Sequence, residues 1–129
     1  MPTQEQPVAQ KSDRPTISVC MIVRNEEKFL AQCLKSVKDA TDEIIIVDTG
    51  STDKTVEIAQ SFGAKVYHHP WRNSFSEARN HSLRYATCDW ILQIDADEAL
   101  EQSDILRLHT LIRTPSHNVI YVAIYSDLP

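Results

Sequence analysis

The chain has 129 residues, 42% of them hydrophobic and 24% charged, and a formal net charge of -5; that is enough for one buried core and too little for two. The acidic balance excludes a protein that tracks nucleic-acid phosphates with a basic face, so any anionic ligand has to be met locally, by a metal or a few placed cations. No apolar run approaches the roughly 20 residues that cross a bilayer, and the polar opening from Met1 to Pro15 lacks a signal peptide's apolar stretch. We therefore expect a cytoplasmic protein, with a peripheral position at the membrane as the alternative.

Residues 1–15 carry three prolines and no period, which predicts a flexible lead-in and places one domain over residues 16–129. Thr16 to Val23 is a continuous apolar, β-branched run, the pattern of a strand buried on both faces. Phe29, Leu30, Cys33, Leu34 and Val37 then recur at helical spacing, predicting an amphipathic helix from Glu26 to about Asp39. Glu43 to Val47 is a second buried strand. Asp48 to Asp53 is a tight turn into a helix that Thr52 or Asp53 caps and Gly63 ends, with Gly50 and Gly63 both where a positive φ is needed.

Ala64 to His68 is a short third strand. Ser74 and Glu77 have capping-box spacing, so a helix should run from Phe75 to about Ala86. Trp90 to Ile94 is a strand, Ser103 to Arg113 a helix with Ile105, Leu108 and Ile112 turned inward, and Asn118 to about Tyr125 a last strand. Strands alternating with helices predict an α/β fold with a mostly parallel sheet between helices. Cys20, Cys33 and Cys88 are odd in number and sit in apolar segments, which suits reduced core thiols.

Ligands of open α/β sheets bind beyond the carboxyl ends of the strands, where Arg24-Asn25, Asp48 to Asp53 and Asp95 to Asp97 all fall. Carboxylates gathered on one rim repel unless a cation neutralises them. Asp95 and Asp97 flank the small Ala96, so both can turn to one point and suit Mg²⁺ or Mn²⁺ together with phosphate oxygens; an isolated pair of this kind more often caps a following helix. Asp48 either accepts hydrogen bonds from a ribose or base, or satisfies the amides of Gly50 and Ser51. Arg79 either reaches phosphate or a base edge from its helix, or lies on a solvated face. His68-His69-Pro70-Trp71 suggests a metal site or a stacking platform, but adjacent histidines point in opposite directions along a strand, so it is read as a loop without a ligand role.

Four blocks follow one another in order: Ile17 to Glu27, Glu43 to Thr55, Ser76-Glu77-Ala78-Arg79-Asn80, and Trp90 to Glu98 with its Asp-x-Asp. Together they resemble family 2 glycosyltransferases of the GT-A fold. The resemblance implies a Rossmann-like sheet ending soon after the Asp-x-Asp region, and a nucleotide-sugar donor, usually a UDP-sugar. It implies donor contacts from the first strand end (Val23, Arg24, Asn25) and from Asp48, Arg79, Asp95 and Ala96. Asp97, with Asp95, would hold Mn²⁺ or Mg²⁺. Many members carry Pro-Thr-Tyr where this chain has Ile22-Val23-Arg24, so a stacking tyrosine is missing there.

The implied reaction is sugar transfer to an acceptor hydroxyl with inversion, and the alternative is a nucleotide-sugar-binding module without catalysis. The acceptor is unknown. No residue is assignable as the base that would deprotonate it, and Asp127, the one late acid, has no matching surroundings. An uncovered face would favour association, so a homodimer is expected.

Overall fold

The computed structural model describes residues 15–113 and 119–121. The lead-in before Pro15, Asp127, and residues 118 and 122–125 of the last predicted strand lie outside the described residues. Strands and helices alternate: β1 (Ile17–Val23), α1 (Leu30–Lys38), β2 (Glu43–Asp48), α2 (Thr55–Ser61), β3 (Lys65–His68), α3 (Phe75–Leu83), β4 (Trp90–Gln93), α4 (Gln102–Leu111) and β5 (Val119–Tyr121). The five strands pair in the order β3-β2-β1-β4-β5, every pairing parallel. Succession therefore runs outward from β1 to β3 on one side, then jumps back to β4 on the other.

The apolar runs become central strands because both their faces are covered. Ile17, Val19, Met21 and Val23 point to one face, in a cluster with Leu30, Cys33, Leu34 and Val37 of α1, Ala59 of α2, and Leu108 with the following Ile112. Cys20 points the other way, where its thiol donates to the Ser82 carbonyl of α3 at 3.7 Å. Thus α1, α2 and α4 cover one face and α3 the other. Each large aliphatic side chain fully withdrawn from water on these faces contributes on the order of 1.5–3 kcal/mol.

Helix starts differ most from the expected bounds. The chain between Glu26 and Phe29 forms a turn, with Phe29 and Leu30 N–H both donating to the Glu26 carbonyl at 3.1 and 3.0 Å, and the regular helix begins at Leu30. Phe29 is consequently 39% exposed rather than in the core, under the Lys28 ammonium at 5.6 Å. Gly50 and Gly63 take φ of +131° and +78°, as their turns require. Ser74 accepts from Glu77 N–H at 3.1 Å, half of the expected box. A reciprocal arrangement forms instead at α4, where Glu101 N–H donates to Asp104 Oδ2 at 2.9 Å.

Candidate functional site

The strand order reverses between β1 and β4, and in open parallel sheets that reversal opens a crevice at the carboxyl ends. A cleft of about 470 Å³ lies there. Ile22, Val23 and Arg24 from the end of β1, Thr49 beyond β2, and Asp95, Ala96 and Asp97 beyond β4 line it, joined by Glu26 and Trp71. Of the residues singled out from the sequence, Val23, Arg24, Asp95, Ala96 and Asp97 thus converge. Asn25, Asp48 and Arg79 do not line the cleft.

Asn25 and Asp48 instead tie the β1 and β2 rims together. Val23 pairs in register with Asp48, and Thr49 donates both its N–H (3.0 Å) and its hydroxyl (3.1 Å) to the Val23 carbonyl. Asn25, at φ +55°, accepts from Thr52 N–H at 2.8 Å and donates its own N–H to Ser51 Oγ at 2.9 Å. The carboxylate of Asp48 accepts from the amides of Gly50 (3.3 Å) and Ser51 (3.1 Å), with His68 Nδ1 at 3.6 Å. Asp48 is only 4% exposed, so its turn duty is met and its carboxylate is sheltered. Asp53 accepts from Thr55 N–H at 2.9 Å and Glu27 N–H at 3.3 Å, the capping role its position predicts.

Beyond β4 the alternation of the chain separates roles. Ala96 is buried, while Asp95 and Asp97 on either side of it are exposed. The Asp95 backbone is fixed from three directions: its N–H donates to Glu98 Oε1 at 2.9 Å, its carbonyl accepts from Glu98 N–H at 3.0 Å, and the same carbonyl accepts from the Cys33 thiol at 3.6 Å. Helix α4 does not begin until Gln102. The reading of the acid pair as helix caps therefore fails, and among the described residues neither carboxylate accepts a hydrogen bond.

The local field is strongly negative. The Glu26 carboxyl is raised above its ordinary value by burial first, then by the charges of Asp97, Asp95 and Asp53. Glu98 is raised by burial, with Asp95 and Asp97 adding against the lowering effect of the Asp95 backbone. Burial, then Glu98, Asp97, Asp95 and Glu26, push the Cys33 thiol up to about 12. Carboxylates held in this way favour a cation. Among the described residues no three His, Cys, Asp or Glu side chains converge to hold a metal by themselves. Two exposed carboxylates are donors of the kind that hard divalent ions take together with phosphate and water oxygens.

Arg79 is half-buried on α3, whose N-terminus follows the loop carrying Trp71. That loop was read from the sequence as having no ligand role, yet its Trp71 lines the cleft. Trp71 is 40% exposed, and its indole N–H donates to Asn73 Oδ1 at 3.2 Å. An aromatic ring in an otherwise polar loop was the available signal. His69 stacks on His81 of α3 with centroids 4.2 Å apart, and Tyr67 on Tyr85 at 3.6 Å, so the loop and α3 are braced by rings; the histidines here serve packing.

The family model described as Glycosyl transferase family 2 matches residues 18–128. Over 84 residues the chain is 55% identical to a TPR repeat-containing protein of Synechococcus elongatus, covering 65% of this chain and 21% of that one. It is 48% identical over 90 residues to the SPbeta prophage-derived glycosyltransferase SunS of Bacillus subtilis, covering 68% of this chain and 21% of that one. The chain thus spans about a fifth of the length of these curated relatives. Among solved structures, glucosyl-3-phosphoglycerate synthase from Mycobacterium tuberculosis in complex with uridine diphosphate is similar with a TM-score of 0.59 at 32% identity, covering 76% of this chain and 39% of that one. The same synthase has been solved with Mn²⁺ and UDP-glucose, and there the similarity is 28% identity with a TM-score of 0.59 over 77% of this chain and 39% of that one.

Proposed function

The chain belongs to glycosyl transferase family 2, and from that premise we propose that it forms the donor site of a transferase that moves a sugar from a nucleoside diphosphate, a UDP-sugar, to an acceptor hydroxyl with inversion. The observation that carries this reading is the pair of exposed carboxylates, Asp95 and Asp97, flanking buried Ala96 at the sheet's switch point. Their charge and spacing suit Mn²⁺ or Mg²⁺ shared with the donor's diphosphate. When bound, such an ion neutralises charge building on the departing diphosphate.

The chain's own residues supply binding and orientation. Asp97, with Asp95, holds the metal; Val23, Arg24 and Ala96 line the donor's bed; Asn25 and Asp48 shape the rim that carries them. The synthase of known structure is crystallised with UDP-glucose and Mn²⁺, which supports the donor class. We place the protein in the cytoplasm, where nucleotide sugars of this kind would meet it; no helix among the described residues is long and apolar enough to cross a membrane.

Calorimetric titration of UDP, GDP and several UDP-sugars, with and without Mn²⁺, on the wild type and Asp97→Ala tests the proposal. Binding that needs Mn²⁺ and is lost in Asp97→Ala is the expected result. Metal-independent binding that survives the substitution would overturn the metal assignment. Donor binding with neither transfer nor hydrolysis would mark a binding module.

A further inference from the structure

We propose that Trp71 is the stacking platform for the nucleobase of the donor, so that the β3–α3 loop supplies the ring that the end of β1 lacks. This assignment rests on the donor-site reading above and adds a residue to it. At the β1 end Ile22 and Val23 line the cleft, and among the described residues the one aromatic residue lining it is Trp71.

The lining brings together the acids Asp95, Asp97 and Glu26, the cation Arg24, and the apolar Ile22 and Trp71. A nucleoside diphosphate likewise carries both a flat heterocycle and charged oxygens that need a metal. The planar base is the group that matches an indole face, and base–aromatic stacking tolerates any base because each presents a π-face.

The ring is also held in place before any ligand arrives. Its N–H is engaged by Asn73 Oδ1 at 3.2 Å, and Asn73 sits at φ +60°, a left-handed turn that asparagine tolerates. At 40% exposure the indole retains surface for a partner to cover, and a platform already fixed loses little side-chain entropy on binding.

The chain has two tryptophans, and Trp90 is only 7% exposed, so quenching of exposed indole fluorescence reports Trp71. The experiment titrates UMP, UDP, UDP-glucose and ribose 5-phosphate with Mn²⁺ present, on wild type, Trp71→Ala and Trp71→Phe, following fluorescence for the wild type and calorimetry for all three. The expected result is quenching by UMP, UDP and UDP-glucose but not ribose 5-phosphate, affinity for UMP and UDP about tenfold weaker in Trp71→Ala, and most of it kept in Trp71→Phe. Equal UDP and UMP affinity in Trp71→Ala and wild type would overturn the platform while leaving the donor site standing. A loss confined to UDP-glucose would also overturn it, placing the indole against the sugar. Failure of every nucleotide to bind the wild type would overturn the donor-site reading, and the platform with it.

Discussion

Asn25 and Thr52, 27 positions apart, are joined by a 2.8 Å hydrogen bond from the Thr52 N–H to the Asn25 carboxamide oxygen. The bond closes the loop after β1 onto the loop after β2, and Asn25 reaches it from a backbone at φ +55°. Two contributions can be separated. Asn25→Gly keeps the left-handed backbone accessible and loses only the acceptor, so about 1 kcal/mol of stability should go. Asn25→Ala loses the acceptor and strains the backbone, so about 2 kcal/mol or more should go. Urea unfolding of both variants checks the order; equal losses would mean that the backbone conformation costs nothing here.

Gly50 makes a sharper case. A β-carbon built there meets nothing nearer than Arg24 Nε at 3.9 Å, an ordinary contact, but the backbone stands at φ +131°. Space is available and conformation is not. Gly50→Ala should cost roughly 1–3 kcal/mol in thermal or denaturant unfolding, with donor affinity falling as the rim shifts.

Acid stability should depend on Glu43 at the opposite edge of the sheet. Its carboxylate accepts from Ser18 Oγ at 2.6 Å, Thr87 N–H at 3.0 Å and Lys65 Nζ at 2.8 Å. Burial by itself would raise its pKa, but the bonds from Lys65, Ser18 and Thr87 together outweigh that and lower it from 4.5 to about 2. A folded value below the unfolded one means stability that is complete above about pH 4.5 and is withdrawn as pH falls toward 2. Glu43→Gln should therefore be less stable than wild type by about 2 kcal/mol at neutral pH, and unfolding measured at successively lower pH should show the gap narrowing across that window.

Thiol chemistry should be selective. Cys20 and Cys33 are fully buried, and burial, with the Glu43 charge for Cys20 and the acidic rim for Cys33, pushes both thiols up to about 12. The thiolate is the reactive form. At pH 8 iodoacetamide should label half-buried Cys88 in the native protein and all three cysteines only in denaturant, as read by peptide mass spectrometry; early labelling of Cys33 would mean that α1 opens from the rim.

The His69–His81 stack carries a pH signature. Burial first, then the charges of His69 and Arg84, lower the His81 pKa below 6.5 against the opposing pull of Glu77. A base with a lowered folded pKa leaves stability intact above about pH 6.5 and costs stability as pH falls below it. An NMR titration should find the His81 midpoint below 6.5 and rising in His69→Phe.

Much was legible because it follows from short-range rules. A run of β-branched residues from Ile17 to Val23 has to be a strand covered on both faces, the spacing of Leu30, Cys33, Leu34 and Val37 has to be a helix with one apolar side, and the glycines at 50 and 63 mark positive φ. The i, i+2 spacing around Ala96 already placed Asp95 and Asp97 on one side of the chain. These are properties of neighbours along the backbone. Strand order is not such a property, and it decided the rest. Only the placement of β4 beside β1 brings Asp95 to Val23 and Arg24; only the β1–β2 pairing turns Asn25 and Asp48 into rim ties rather than cleft walls; only the return of the β3–α3 loop to that edge sets Trp71 into the cleft. Phe29 left the core because the turn on the Glu26 carbonyl delays the regular helix until Leu30. Periodicity is encoded residue by residue, whereas a cleft is assembled from segments more than twenty residues apart, whose meeting depends on which strands pair.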